Sequence, residues 1–171
     1  QAKEAKDGPA CAALVAKAAG SKGVRIQIDI GGSAGPAVYD YCKSEHQLRA
    51  LALDGSAATK EMDRTKKFSF VNKRALWHWR MREALDPKSG VLLALPPDPQ
   101  LRSDLCSPRW RLQSGRIRIE EKEEIMKRLG RSPDRGEATM YAVVSDAVDM
   151  SSAPTPTMVG DQARSYWDGP E

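Results

Sequence analysis

The chain has 171 residues, of which 40% are hydrophobic and 29% charged, and a formal net charge of +4. That is enough for one domain with a real core. No apolar run approaches the roughly 18 residues of a membrane helix and nothing resembles a signal peptide, so a cytoplasmic setting is the default. The three cysteines, Cys11, Cys42 and Cys106, are far apart and odd in number, which argues against a disulfide framework or a zinc cluster. Two histidines, His46 and His78, leave little material for a histidine metal site or a Ser-His-Asp triad. The positive balance permits a polyanionic partner without requiring one.

In chain order, Asp7-Gly8-Pro9 reads as a capped helix start, continued by Ala10 to Ala19 and stopped at Gly20. Ile26 to Ile30, within an alternating β-branched run from Val24, predicts a strand that carries Asp29 near its end. Gly31 to Pro36 is a small-residue turn, followed by a helix over Ala37 to Ser44 and a short strand within Leu48 to Leu53. Asp54 to Lys67 is polar connection, and Asn72 caps a helix to about Leu85. A short strand is expected over Val91 to Leu95, and Pro96-Pro97-Asp98 opens a helix ending near Cys106. Trp110 to Leu112 and Arg116 to Ile119 flank Ser114-Gly115 as a hairpin. Glu120 to Leu129 and Ser132 to about Val148 are the last helices, and residues 151–171 form a tail without periodicity. Strand and helix alternate, so the fold class is α/β, with one domain over residues 1–150.

Asp29 at a strand end and Asp134 at a helix start are the residue types from which a divalent-metal site is built, since Mg²⁺ and Mn²⁺ prefer oxygen ligands. The small residues after Asp29 would let a nucleic-acid backbone approach closely. Lys122, Arg128 and Arg131 precede Asp134 and are candidates to neutralise phosphates. Each has an ordinary counterpart reading. Asp is common before Gly-Gly, Ser132-Pro133-Asp134 is also a normal helix start, and Glu137 is equally at home as a first-turn acid. Trp77 and Trp79 stand beside Arg74, Arg80 and Arg82 like a stacking platform, but helical spacing assigns Trp79 to the core.

Taken in order, Ile26 to Tyr41, Asn72-Lys73-Arg74-Ala75 with Trp77, Leu95-Pro96-Pro97-Asp98, Gly115 to Glu120 with Lys122, and Arg128 to Asp134 resemble the nuclease domain of the large terminase subunit of tailed bacteriophages. The resemblance spans roughly Asp7 to Val148. It implies a ribonuclease H-like fold and an endonuclease that cuts concatemeric double-stranded DNA with two divalent metals, Mg²⁺ or Mn²⁺, held by acids. Two metals roughly 3.5–4 Å apart activate the attacking water and stabilise the leaving oxygen. By the resemblance Asp29 is the second of the family's acids, Asp134 the last, and Glu137 a further metal-ligand position. It also implies an ATPase domain of the same protein, a small terminase subunit and a portal as partners, in the cytoplasm of a bacterial host.

The family's first acid lies on a strand of a three-stranded meander that precedes the first helix, and here that helix is the first matching element. The expectation is therefore a C-terminal part of a larger protein, with the first strands and first acid upstream. No Gly-x-x-x-x-Gly-Lys-Ser/Thr loop occurs in the chain to serve a packaging ATPase. One alternative is an inactive remnant that binds DNA or a packaging partner. Another reads Asp29 to Ser33 as the phosphate turn of a sugar-kinase or actin-like ATPase, which requires a β run directly after the glycines.

Overall fold

A computed structural model of the chain describes residues 7–20, 24–91 and 93–144. Helix α1, Gly8–Ala19, begins where the Asp7 carboxylate accepts the Ala10 N–H at 2.8 Å. Strand β1, Ile26–Asp29, is followed by α2, Gly35–Ser44, and by β2, Ala50–Leu53, which lies parallel to β1 with Asp29 opposite Leu53. The helix that follows the glycine turn directly is the connection a parallel pair needs. It also removes the β run that the ATPase reading required.

The two-residue strand β3, Ser69–Phe70, precedes α3, Lys73–Ala84, which is capped by the Asn72 side chain accepting the Ala75 N–H at 2.9 Å. A 3-10 turn at Pro87–Ser89 leads to α4, Pro99–Cys106, capped by Asp98. Strands β4, Trp110–Gln113, and β5, Arg116–Ile119, form the expected hairpin. Its turn residues Ser114 and Gly115 both have positive φ, 49° and 74°, as a two-residue turn between twisted strands demands. Helices α5, Lys122–Leu129, and α6, Asp134–Val144, close the described chain. A second sheet has the order β3-β5-β4, with β3 parallel to β5.

The strand expected over Val91 to Leu95 does not form; the described residues there are irregular. Their apolar side chains still find the core, because Leu93 and Leu95 pack against it as coil, and Pro96-Pro97 supply no N–H to extend a ladder. The end of the last predicted helix, beyond 144, and the tail lie outside the described residues. None of the described helices is long and apolar enough to cross a membrane.

The main core gathers Phe70, Leu76, Trp77, Ile117 and Met140, all 1% exposed or less, between α3, α6 and β5. A smaller cluster of Ala12, Val38 and Cys42 joins α1 to α2 beside β1. Helix α6 is locked against α4 at a single close approach. A Cβ at Gly136 would lie 2.6 Å from the Asp104 Cβ, and the Gly136 N–H instead donates to the buried Asp104 carboxylate at 3.1 Å. Arg131 completes that joint with an ion pair to Asp104 at 2.5 Å. The first turn of α6 is thereby held against α4.

Candidate functional site

A cleft of about 570 Å³ opens between the end of β1, the start of α5 and the first two turns of α6. Asp29, Lys122, Asp134, Glu137 and Tyr141 all line it. Its walls are set by backbone approach. A Cβ on Gly35 would stand 2.0 Å from the Asp29 carbonyl oxygen, so only glycine lets α2 begin directly over the end of β1. Gly35 thus serves the chain's own packing, whereas a Cβ at Gly32 would meet nothing within 4 Å.

Asp29 is fixed at both oxygens. Its Oδ1 accepts the Gly31 N–H at 2.8 Å and its Oδ2 accepts the Tyr141 hydroxyl at 2.9 Å. Burial, with the negative charges of Asp29 and Glu137, raises the Tyr141 pKa far above the ordinary phenol value, so its hydroxyl stays a donor. Trp77 meets the Tyr141 ring edge-on, with centroids 5.5 Å apart, and fixes its tilt. Tyr141 escaped the sequence reading because its partner is 112 residues away and no local pattern marks the pair.

In the same cleft, the Lys122 ammonium sits between two carboxylates, 2.6 Å from Glu137 Oε2 and 3.2 Å from Asp134 Oδ1. Burial works against the Lys122 charge, but hydrogen bonds and attraction from Glu137 and Asp134 outweigh it and hold its pKa above the usual lysine value. Burial likewise opposes ionisation of Asp134, yet the Ser132 hydroxyl, Lys122 and the charge of Arg131 hold its pKa below the usual carboxylate range. Ser132 donates to Asp134 at 2.5 Å. Glu137 is buried at 6% exposure, and its Oε1 takes no hydrogen bond but lies 3.7 Å from the Arg74 Nη2. Arg74 is itself anchored by donating to the Glu120 carbonyl at 2.8 Å.

The three candidate metal ligands therefore face one cleft from two elements. Asp134 and Glu137 share a bound cation, the lysine ammonium, while Asp29 on β1 is held by Tyr141, one turn beyond Glu137 on α6. Among the described residues no group of three or more His, Cys, Asp or Glu is assembled closely enough to hold a metal ion. The donor chemistry nevertheless suits a hard divalent cation: every donor is a carboxylate oxygen, and Glu137 keeps a buried oxygen without a hydrogen bond.

Of the three phosphate-contact candidates, only Lys122 reaches the cleft. Arg128 donates to the Glu120 carboxylate and, at 2.6 Å, to the Ser107 carbonyl. Arg131 is engaged by Asp104 and by the carbonyls of Ser132 and Gln100. Trp77 and Trp79 are buried at 1% and 8% exposure and offer no open face to a base.

No protein-family model matches this sequence, and no curated protein does. The fold, in contrast, has clear counterparts. Its mixed α/β architecture is a ribonuclease H-like fold. Three solved structures of the nuclease domain of the large terminase subunit gp2 of bacterial virus Sf6 superpose on it with a TM-score of 0.60 each. A lysine-to-alanine variant with manganese and beta-thujaplicinol is 17% identical over 79% of this chain and 71% of that one. The same variant with manganese is 18% identical over 78% and 72%. A third structure of that nuclease domain is 20% identical over 78% and 71%.

Proposed function

We propose that this chain is part of the nuclease domain of a phage DNA-packaging terminase and hydrolyses phosphodiester bonds of double-stranded DNA. Asp29, Asp134 and Glu137 would hold the divalent metal, magnesium or manganese. The observation that carries this reading is the Lys122 ammonium lying between Asp134 and Glu137, in a cleft shared with Asp29. A cation position flanked by carboxylates, in the fold of a terminase nuclease, is what such a site requires. Manganese in two of the structural neighbours supports the choice of metal.

A divalent cation supplies, when bound, activation of water for attack on phosphorus and charge to stabilise the leaving oxygen. The chain's own residues do the rest. Tyr141 and the Gly31 N–H orient the Asp29 carboxylate, leaving it little rotational freedom. Lys122 balances two acids that would otherwise repel each other and the phosphate. Arg74 stands behind Glu137 and limits the cost of burying its charge. The ATPase domain, small subunit and portal of the packaging machine, and a bacterial host cytoplasm, belong to the same proposal.

The test is conversion of supercoiled plasmid to nicked and linear forms, with Mn²⁺ and with chelator, by this chain and by the full natural product of its gene. Metal-dependent nicking abolished by Asp134→Ala supports the reading, and nicking unchanged by Asp134→Ala overturns it. A second reading, a domain that binds DNA or a packaging partner without cutting, is favoured by one observation: the carboxylates are not gathered into a group of three. It predicts salt-sensitive DNA retention with no cleavage by the full natural product.

A further inference from the structure

The second sheet carries a charge arrangement that the acid cleft does not use. Met62 bridges Ser69 in antiparallel fashion, so residues 63–68 form a turn leading into β3. β3 runs parallel to β5 with Ser69 opposite Arg116, and Ser114-Gly115 is the turn leading into β5. Parallel register therefore sets both turns at the same end of the sheet. Residues 62–69 and 110–117 together contain Arg64, Lys66, Lys67, Arg111 and Arg116 against one acid, Asp63.

That acid is consumed inside its own turn. Asp63 is 5% exposed, and its carboxylate accepts the N–H groups of Thr65, Lys67 and Phe68 and the Thr65 hydroxyl. The cage holds Lys66 at φ 57°, a conformation that costs a non-glycine residue energy. Neighbouring acids are also engaged: Glu61 pairs with Arg80 at 3.6 Å, and Glu83 accepts from the Trp79 indole at 3.1 Å. Arg64, Lys66, Lys67, Arg111 and Arg116 are all exposed. On the hairpin, Arg111 lies directly opposite Arg118, a like-charge pair that destabilises the ladder. Arg118 is relieved by Glu121 and by Gln113 at 2.8 Å, whereas Arg111 and Arg116 engage no carboxylate among the described residues. A rigid turn that presents cations, next to a hairpin that tolerates opposed arginines, suits an extended polyanion.

We propose that this two-turn edge binds the sugar-phosphate backbone of duplex DNA, separately from the acid cleft. The choice of duplex DNA rests on the nuclease reading above. Geometry supports it: β5 runs from this edge at Arg116 to Ile119, just before the segment that delivers Lys122 to the cleft. Four strand residues rise only about 3.3 Å each. The strand is therefore only about 13 Å long, short against even one helical turn of a duplex, whose phosphates recur along its whole length.

The experiment is equilibrium binding of a short duplex DNA to the full chain at several salt concentrations, in chelator so that no cutting occurs. Lys66→Glu/Arg116→Glu is compared with Lys17→Glu/Lys127→Glu, which makes the same charge change at exposed positions elsewhere. Thermal melts confirm that both variants fold. The expected result is an affinity loss of about tenfold or more for the first variant, with a log–log salt slope shallower by about 2, and a loss under about twofold for the second. Equal losses in the two variants overturn the proposal, as does wild-type protein that fails to retain duplex DNA at low salt. Tighter binding of duplex RNA or of anionic vesicles than of duplex DNA overturns the choice of partner. Binding through this edge by a full natural product that never nicks plasmid in Mn²⁺ leaves the surface standing and removes the nuclease reading alone.

Discussion

The two ends of β5 differ in how they handle charge. Beyond Ile119, Lys122, Asp134 and Glu137 are paired with one another, and buried Glu137 is backed by Arg74. At the Arg116 end, Arg64, Lys66, Lys67 and Arg116 stand exposed, with the local acid Asp63 folded into a turn. Paired buried charge is costly to break and holds geometry, whereas unpaired exposed charge costs little and attracts a partner from a distance. In the function proposed here, the first end positions chemistry and the second gathers a polyanion.

The sharpest way to break the comparison is at the acid end. Asp29→Asn should reduce Mn²⁺-dependent nicking by more than about 100-fold, the upper range for residues that only orient a ligand, while leaving duplex binding in chelator unchanged. A parallel loss of binding would mean that the two ends are not functionally separate. Tyr141→Phe keeps the ring against Trp77 and removes only the hydroxyl that Asp29 accepts. Nicking should fall by about 10- to 100-fold, with a stability change of only about 1 kcal/mol in thermal melts. An unchanged nicking rate would show that Asp29 needs no second partner.

Two smaller effects probe the scaffold between the ends. Gly136→Ala forces a Cβ to within 2.6 Å of Asp104 at the α4–α6 joint and should destabilise by about 1–3 kcal/mol, read as a lower melting temperature. Activity per folded molecule should drop as well, because the first turn of α6 carries Asp134 and Glu137. The second effect is pH-dependent. Burial, aided by the charge of Arg74, pushes the His78 pKa down from 6.5 to about 3, and its Nε2 has no hydrogen-bond partner. Between those values the unfolded chain binds a proton that the folded chain does not, so stability falls as pH drops from 6.5 toward 3. The slope is at most about 1.4 kcal/mol per pH unit for this group. His78→Gln should flatten the melting-temperature profile in that window, and an unaltered profile would contradict the assignment.

Much of the fold was legible because local chemistry decided it. Asp7, Asn72 and Asp98 cap helices as their side chains require, and the Ser114-Gly115 turn forces a hairpin. β3 was not legible, since two residues carry no period, and it exists only because β5 offers an edge. Val91 to Leu95 misled in the other direction: an apolar run before Pro96-Pro97 can fill a core without joining a sheet. At the site, Asp29 and Asp134 stood out through family resemblance, since either residue alone reads as an ordinary turn or cap. Tyr141, the partner of Asp29, depends on tertiary folding and leaves no local sequence signal, whereas the resemblance marked Lys122 but not its pairing with Asp134.

Calorimetric titration of Mn²⁺ into the full natural product asks whether the cleft holds a metal before any question of cutting arises. Saturable binding is expected, weakened by more than about tenfold in Glu137→Gln, as removal of a ligand should do. Binding that is absent, or indifferent to Glu137, would contradict a metal site in this cleft.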